Sequence, residues 1–216
     1  MENKKPSIIY VYDAICGWCY GFSPVMKSLF ENYADKFDFE VLSGGMMMGE
    51  REGTINDVAP YIKTAYKDVE NTTGVMFGEA FLAELQKGDL FLSSEKPAIA
   101  LSVFKSYFPE KAILFAHDLQ SAIYVHGLDL SKDDSYIHLA EKYQIPVQDF
   151  ISKLNQEEYK QAAYYDFALA RQLKVTGYPA AFIRTGELKF YMIAKGYANL
   201  ETMELRVQNV LNEIAL

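Results

Sequence analysis

Both cysteines of this 216-residue chain lie within Asp13–Tyr20, DAICGWCY, spaced Cys16-Gly17-Trp18-Cys19 around the only tryptophan. An apolar, β-branched run, Ser7–Tyr12, precedes them and reads as a buried strand. Behind them Val25, Met26, Leu29, Phe30 and Tyr33 recur at helical spacing. The pair therefore sits where a strand hands over to a helix, and this junction restricts the fold more than any other feature. Phe37, Phe39 and Val41 then alternate with Asp38 and Glu40 as a second strand, ended by Ser43-Gly44-Gly45. Strand, helix and strand in that order form a parallel crossover unit.

The position suits thiol chemistry. A thiolate is the reactive form of cysteine. At a helix start, unpaired backbone N–H groups and the positive end of the helix dipole point at the Cys16 sulfur and favour its ionised form. Two intervening residues bring Cys19 one turn later, within disulfide reach. Cys16 would attack a substrate disulfide and Cys19 would resolve the mixed disulfide, or the pair would run in reverse. Two rival readings stand beside this one. A structural zinc site takes about four ligands, and the chain offers its two cysteines with His117, His126 and His138, which show no paired-ligand spacing. Two ordinary buried cysteines that happen to be close are the other.

From about residue 55 to residue 173 the pattern is helical almost throughout. Pro97, Pro109 and Pro146 suit first helical turns, and Gly88 and Gly127 suit helix ends. Ala112, Phe115, Leu119 and Ile123 share one helical face, as do Ala163, Phe167, Ala170 and Leu173. Strand character is expected again only after Pro179, in Ala180–Ile183 and Leu188–Ile193 around a Thr185-Gly186 turn. Asn199 can cap a final helix with Met203, Val207, Val210 and Ile214 inward. The fold class is α/β, with N-terminal β-α-β and C-terminal β-β-α halves separated by a large helical insertion. The expected division is 1–50 and 156–216 as the two halves of one core, with 51–155 as the insertion.

Half of the residues are hydrophobic and the net charge is −8, with no cluster of Lys and Arg. A sizeable core is affordable by that composition, whereas a nucleic-acid or anionic-membrane surface is not expected. Lys4 and Lys5 before the apolar run imitate a signal peptide, but the run is short and no small-residue cleavage site follows. A cytoplasmic location is the expectation, and there a purely structural disulfide is rare.

The segments ICGWCYGFSP, with Pro24 five residues past Cys19, and ARQLKVTGYPAAF resemble the DsbA-like disulfide oxidoreductases of the thioredoxin superfamily, especially their cytoplasmic FrnE-like branch. The resemblance covers essentially the whole chain. It implies a thioredoxin-like fold, Cys16 as nucleophile, Cys19 as resolving thiol, and Pro179 as a cis-proline beside them. It further implies that the backbone of Tyr178 pairs with an extended substrate, with Gly17 and Trp18 also facing it. Members with Pro-His between the cysteines carry a histidine that stabilises the thiolate. Gly17-Trp18 carries no such charge, and Asp13 would oppose the thiolate if it lies near, so a less oxidising pair is expected.

On this reading the chain needs no metal or prosthetic group. Electrons pass to or from protein or small-molecule thiols and disulfides, with glutathione a candidate redox partner. No third cysteine can reset the pair, so the resetting partner is external. A glutathione-dependent isomerase or kappa-class transferase on the same fold is an alternative, although such relatives typically carry serine in place of the first cysteine. A redox-silent binding or chaperone-like module is another. Met46, Met47 and Met48 read as core or interface filling, or as a soft apolar surface beside the cysteines. Ser93 or Ser94 is expected to cap a helix rather than to hold glutathione. Asp133-Asp134 and Glu157-Glu158 suit helix starts, and the histidines suit core or surface roles.

Overall fold

A computed structural model describes residues 5–214. The chain runs β1 (Ser7–Tyr12), α1 (Gly17–Tyr33), β2 (Asp38–Ser43), β3 (Gly53–Thr54), α2 (Ile55–Thr73), α3 (Glu79–Lys87), β4 (Phe91–Leu92), α4 (Glu95–Lys105), α5 (Ala112–Tyr124), α6 (Ile137–Lys142), α7 (Val147–Lys153), α8 (Glu157–Gln172), β5 (Ala180–Arg184), β6 (Phe190–Lys195) and α9 (Leu200–Ile214). The four longer strands form one sheet in the order β2-β1-β5-β6. β1 runs parallel to β2, pairing Ser7 with Asp38 through Tyr12 with Ser43, whereas β5 and β6 are antiparallel to their neighbours. This is a thioredoxin-like sheet with helices α2–α7 between its halves and α8 leading back to β5.

The insertion is not wholly helical. β3 and β4 pair as a two-residue antiparallel ladder, Gly53 with Leu92 and Thr54 with Phe91. So short a ladder has too few residues to show the alternation that marks a strand in sequence. It brings the chain just before α2 against the chain just before α4, and both lead to the cysteines.

β1 is buried over its whole length, because both faces of the sheet are covered. Ile8, Tyr10 and Tyr12 point into the larger core with α1 and α5, while Ile9 and Val11 meet Leu42, Ala170, Ala180 and Phe182 on the other face. That split follows from the two-residue period of a strand. The insertion is fastened to the sheet by Lys105 of α4, whose Nζ lies 2.7 Å from Asp166 Oδ2 of α8, and the Ser43 amide reaches the same oxygen at 3.4 Å.

α1 carries Pro24 in its interior, so the carbonyl of Tyr20 loses its usual donor four residues on. The Ser23 hydroxyl donates to that carbonyl instead, at 3.0 Å, and lies 2.8 Å from His117 Nδ1. With its own proton used, Ser23 accepts from His117, a serine–histidine contact that the sequence did not suggest. Against α1 lies α2, and their closest approach requires Gly21. A Cβ there would stand 2.7 Å from Thr73 Cγ2 and 2.9 Å from Val69 Cγ1.

α9 starts as expected, the Asn199 carboxamide accepting from the Thr202 amide at 2.9 Å. Met203, Val207 and Val210 face inward, but Ile214 is 39% exposed at the end of the helix, beyond the reach of the sheet. Among the described residues no helix is long and apolar enough to cross a membrane.

Candidate active site

Cys16 is the residue before the first turn of α1, with φ −94° and ψ 112°, so its backbone is still extended while its sulfur faces the helix start. There the Cys19 amide donates to Cys16 Sγ at 3.3 Å. The cysteine thus occupies the place of a capping serine or aspartate, accepting from one of the four N–H groups that a helix start leaves unpaired. Both thiols are free. Cys16 retains 6% exposure and Cys19 none, which leaves only Cys16 open to an incoming sulfur. Burial pushes the Cys19 thiol well above its usual range, and the hydrogen bond and charge of Cys16 push it the same way.

The second half of the core supplies the opposite wall. The Tyr178–Pro179 bond is cis. The Cys16 thiol donates to the Tyr178 carbonyl in a long 3.7 Å contact. The Tyr178 ring lies directly on Gly44, where an added Cβ would fall 2.2 Å from Cε1, and its hydroxyl donates to the Gly44 carbonyl at 2.7 Å. Gly45 follows with φ +71°, a left-handed conformation that favours glycine. The Gly44-Gly45 pair that ends β2 therefore serves to seat the tyrosine before the cis-proline.

Asp13 lies beneath this wall, buried. Its Oδ1 accepts from the Ile15 amide at 3.0 Å and the Ser94 hydroxyl at 2.8 Å, and its Oδ2 accepts from the Met46 amide at 2.7 Å. Burial raises its pKa above the usual carboxylate range, partly offset by those donors. Its charge also disfavours ionisation of Cys19. Of the two serines expected to cap α4, Ser94 makes no such bond with its side chain, and Ser93 meets the first amide of the helix, its Oγ accepting from Glu95 at 3.2 Å. The Ser94 hydroxyl gives its proton to the Asp13 carboxylate, and its oxygen accepts from the Met47 amide at 2.9 Å instead of from an α4 amide. Gln120 of α5 is fully buried beside the same turn. Oriented to satisfy both ends of its amide, it donates to the Cys19 carbonyl at 3.2 Å and accepts from the Tyr20 amide at 2.9 Å.

A cavity of about 320 Å³ opens beside Cys16. Trp18, Met46, Met47 and Tyr178 line it from the core, and Ile62 and Tyr66 of α2 line it from the insertion. Trp18 is half-buried, and Met46 and Met47 are partly exposed, so two of the three consecutive methionines edge the site while also packing on the core. A larger cavity of about 550 Å³ contains neither cysteine. Its wall is polar, with Lys160 paired to Glu95 at 3.0 Å.

A strand, a cysteine-capped helix and a cis-proline loop brought together on one four-stranded sheet match a known arrangement. The match to the DSBA-like thioredoxin domain extends over residues 7–208. The chain belongs to that family. Thiol–disulfide exchange is the chemistry that goes with this DSBA-like domain. Among solved structures it is similar to a proposed protein disulfide isomerase from Nitrosomonas europaea, with a TM-score of 0.82, 24% identity, and 97% of this chain and 99% of that one covered. The cytosolic disulfide reductase DsbM of Pseudomonas aeruginosa, also solved with glutathione, gives a TM-score of 0.80 at 18% identity, covering 97% and 100%. In sequence the domain is 22% identical over 184 residues to the ClpXP adapter protein SpxH of Halalkalibacterium halodurans, covering 81% of this chain. It spans 57% of that relative's length.

Sequence reasoning had singled out Cys16, Gly17, Trp18, Cys19, Tyr178 and Pro179, and the fold gathers all six at the mouth of one cavity or beside it. Gln120, the α2 wall and the bond from Ser94 to Asp13 were missed. No local pattern marks them, since each reaches the cysteines from a distant segment.

Proposed function

We propose that the chain is a thiol–disulfide oxidoreductase in which Cys16 is the nucleophile and Cys19 the resolving thiol. The observation that carries this is the Cys19 amide donating to Cys16 Sγ at the start of α1, which holds the more exposed of the two thiols at the mouth of the site. Cys16 attacks a substrate disulfide, and the departing thiolate takes the electron pair of the broken S–S bond. Cys19, once deprotonated, then attacks Cys16 Sγ, expels the substrate thiol and leaves the Cys16–Cys19 disulfide. The Tyr178 main chain aligns an extended substrate across the pair. The exchange requires no metal or prosthetic group. An external thiol such as glutathione or a second redox protein resets the disulfide, in keeping with a cytoplasmic setting.

Gly17 and Trp18 place no charge between the sulfurs, and the buried acid nearby is Asp13. The couple is therefore less oxidising than one with a histidine between the cysteines. A glutathione redox titration followed by Trp18 fluorescence tests both statements. A reversible two-electron transition establishes the couple, and a midpoint as oxidising as the periplasmic members of the family overturns the second statement. Absence of any transition, with both thiols counted free throughout, overturns the first.

The binding-module alternative draws on the adapter named among the relatives. It predicts that Cys16→Ser leaves the chain's activity intact. The glutathione-transfer alternative predicts survival of Cys19→Ser, whereas dithiol exchange stops after one equivalent of mixed disulfide.

A further inference from the structure

The sheet ends at β6, whose outer side pairs with no strand among the described residues. The Thr185 amide donates to the Lys189 carbonyl at 3.1 Å, and the same register continues through Arg184–Phe190, Ile183–Tyr191 and Phe182–Met192. Antiparallel partners alternate between bonded and unbonded pairs. Lys189 and Tyr191 therefore turn their N–H and C=O groups toward β5, while Phe190 and Met192 turn theirs outward to an empty edge. The bulge of β6 falls at Ile193, past both residues. The side chains of that edge are uncovered too. α8 covers this face of the sheet as far as Phe182, which is 4% exposed. Beyond it Phe190 is 39% and Met192 53% exposed, and Leu188 in the preceding loop is 93% exposed. Edge strands are normally guarded by a charge or a proline in mid-strand. Phe190–Ala194 contains neither.

The order of residues along the strand says what pairs with it. Turned end for end about Tyr191, the strand is complementary to itself. A second copy laid antiparallel on that centre puts Phe190 of each chain opposite Met192 of the other, in the two bonded pairs that the outward groups require. Both side chains of such a pair stand on one face, so each exposed ring is covered by an exposed thioether. Just beyond the paired residues, Glu187 in the hairpin loop of each copy falls opposite Lys195 of the other. Both are exposed, and neither has an ion-pair partner among the described residues. Moving the centre to Met192 sets Lys189 opposite Lys195, and like charges face to face are unfavourable. Moving it to Phe190 takes Lys195 away from Glu187 and sets it opposite Thr185. Only the register about Tyr191 satisfies the backbone, the apolar face and the charges together.

We propose that the outer edge of β6 is a homodimer interface, at which two copies of the chain pair β6 with β6 antiparallel about Tyr191. The two sheets join into one, in the order β2-β1-β5-β6-β6-β5-β1-β2. The contact is isologous, as a twofold axis requires. That axis stands perpendicular to the sheet and turns the copies end for end. Cys16, which follows the C-terminal end of β1, then opens at opposite ends of the assembly. Dimerisation thus closes the unguarded edge and leaves both reactive thiols facing outward.

The test is sedimentation equilibrium of the full-length protein, kept reduced so that no intermolecular disulfide can form, over about 1 to 100 μM. The wild type should show twice the chain mass at the upper end of that range. Met192→Lys, at an exposed position, brings a charge opposite Phe190 and should weaken association at least about tenfold. Glu187→Lys or Lys195→Glu alone sets like charges together at both ends of the interface and should weaken it by a similar factor. The two swaps in one chain re-create the opposite pairs and should restore the wild-type dissociation constant. That rescue also shows that the single variants fold, since both positions are exposed and far from the core. A wild type of single-chain mass throughout overturns the proposal, including where a strand from another protein takes the edge instead. A dimer indifferent to Met192→Lys, or single swaps that the double swap does not rescue, overturns it as well, because the copies then meet elsewhere or in another register.

Discussion

The Ser94 hydroxyl donates to Asp13 Oδ1 at 2.8 Å, joining the first turn region of α4 to the loop that carries Cys16. Asp13 is buried with its pKa raised, so its native state holds a proton more tightly than the unfolded chain does. Its contribution to stability is fully present below about pH 4, where the unfolded carboxyl is also protonated, and is lost as pH rises through the native pKa. The stability of the wild type relative to Asp13→Asn should therefore fall as pH rises above 4, by at most about 1.4 kcal/mol per pH unit. Ser94→Ala removes a donor from the ionised form, which extends the fall to higher pH and costs about 2 kcal/mol near neutrality. Urea unfolding between pH 4 and 8 measures both. A pH-independent difference would mean that Asp13 does not titrate in this range.

The two thiols should differ in reactivity. Cys19 is fully buried and its pKa is pushed well up, so its thiolate fraction at neutral pH is small. In the reduced protein, iodoacetamide at pH 7 should label Cys16 at least about tenfold faster than Cys19, with the Cys19 rate still climbing at alkaline pH. Peptide mapping by mass spectrometry separates them. Asp13→Asn should accelerate Cys19 labelling by removing a charge that opposes its ionisation. Equal labelling of the two at pH 7 would contradict the assignment of Cys19 as the protected thiol.

What was legible in the sequence was what short-range pattern encodes. β1, α1 and β2 follow from periodicity over single segments, and the helix faces of α5 and α8 follow the same way. The order strand, CxxC, helix was enough to locate the chemistry. The β3–β4 ladder was not legible, because two residues on each side carry no period. Nor was the turn of Ser94 toward Asp13. Ser94 sits where serine caps helices, and only the fold shows that a buried carboxylate lies nearer than the α4 amides. The cavity beside Cys16 was invisible for a related reason. The apolar face of α2 looks in sequence like any buried face, and the space in front of part of it is a property of how α1, α2 and the cis-proline loop meet.

Gln120 is another residue that only the fold brings to the site. Its amide bridges the Cys19 carbonyl and the Tyr20 amide, steadying the turn whose N–H groups face Cys16 Sγ. Gln120→Leu keeps the volume and deletes the bridge, at a cost of about 1 kcal/mol in chemical denaturation. A loosened turn holds the Cys19 amide less firmly on Cys16 Sγ in the reduced form, and destabilising the reduced form makes the couple more reducing. The midpoint of the glutathione titration should therefore move to a more negative potential. An unchanged midpoint with the stability loss intact would confine Gln120 to packing.

Gly44 and Tyr178 offer the sharpest test of the wall opposite Cys16. A Cβ on Gly44 would fall 2.2 Å from Tyr178 Cε1, 2.3 Å from Cζ and 2.6 Å from Oη, too close for the ring to stay. The ring lies in the middle of the clash, so small shifts do not relieve it, and Gly44→Ala should destabilise by about 1–3 kcal/mol. Displacing the ring also displaces the main chain that faces Cys16, so thiol exchange should slow about tenfold or more. Tyr178→Phe keeps the ring and loses only the hydrogen bond to the Gly44 carbonyl, a cost of about 1 kcal/mol. The decisive comparison is Gly44→Ala in a Tyr178→Ala background, where the added methyl meets open space. Its cost there should largely disappear, giving a coupling energy between the two positions of about 1–3 kcal/mol. If Gly44→Ala costs as much without the tyrosine ring as with it, the glycine is required by its backbone and not by the seat it makes for Tyr178.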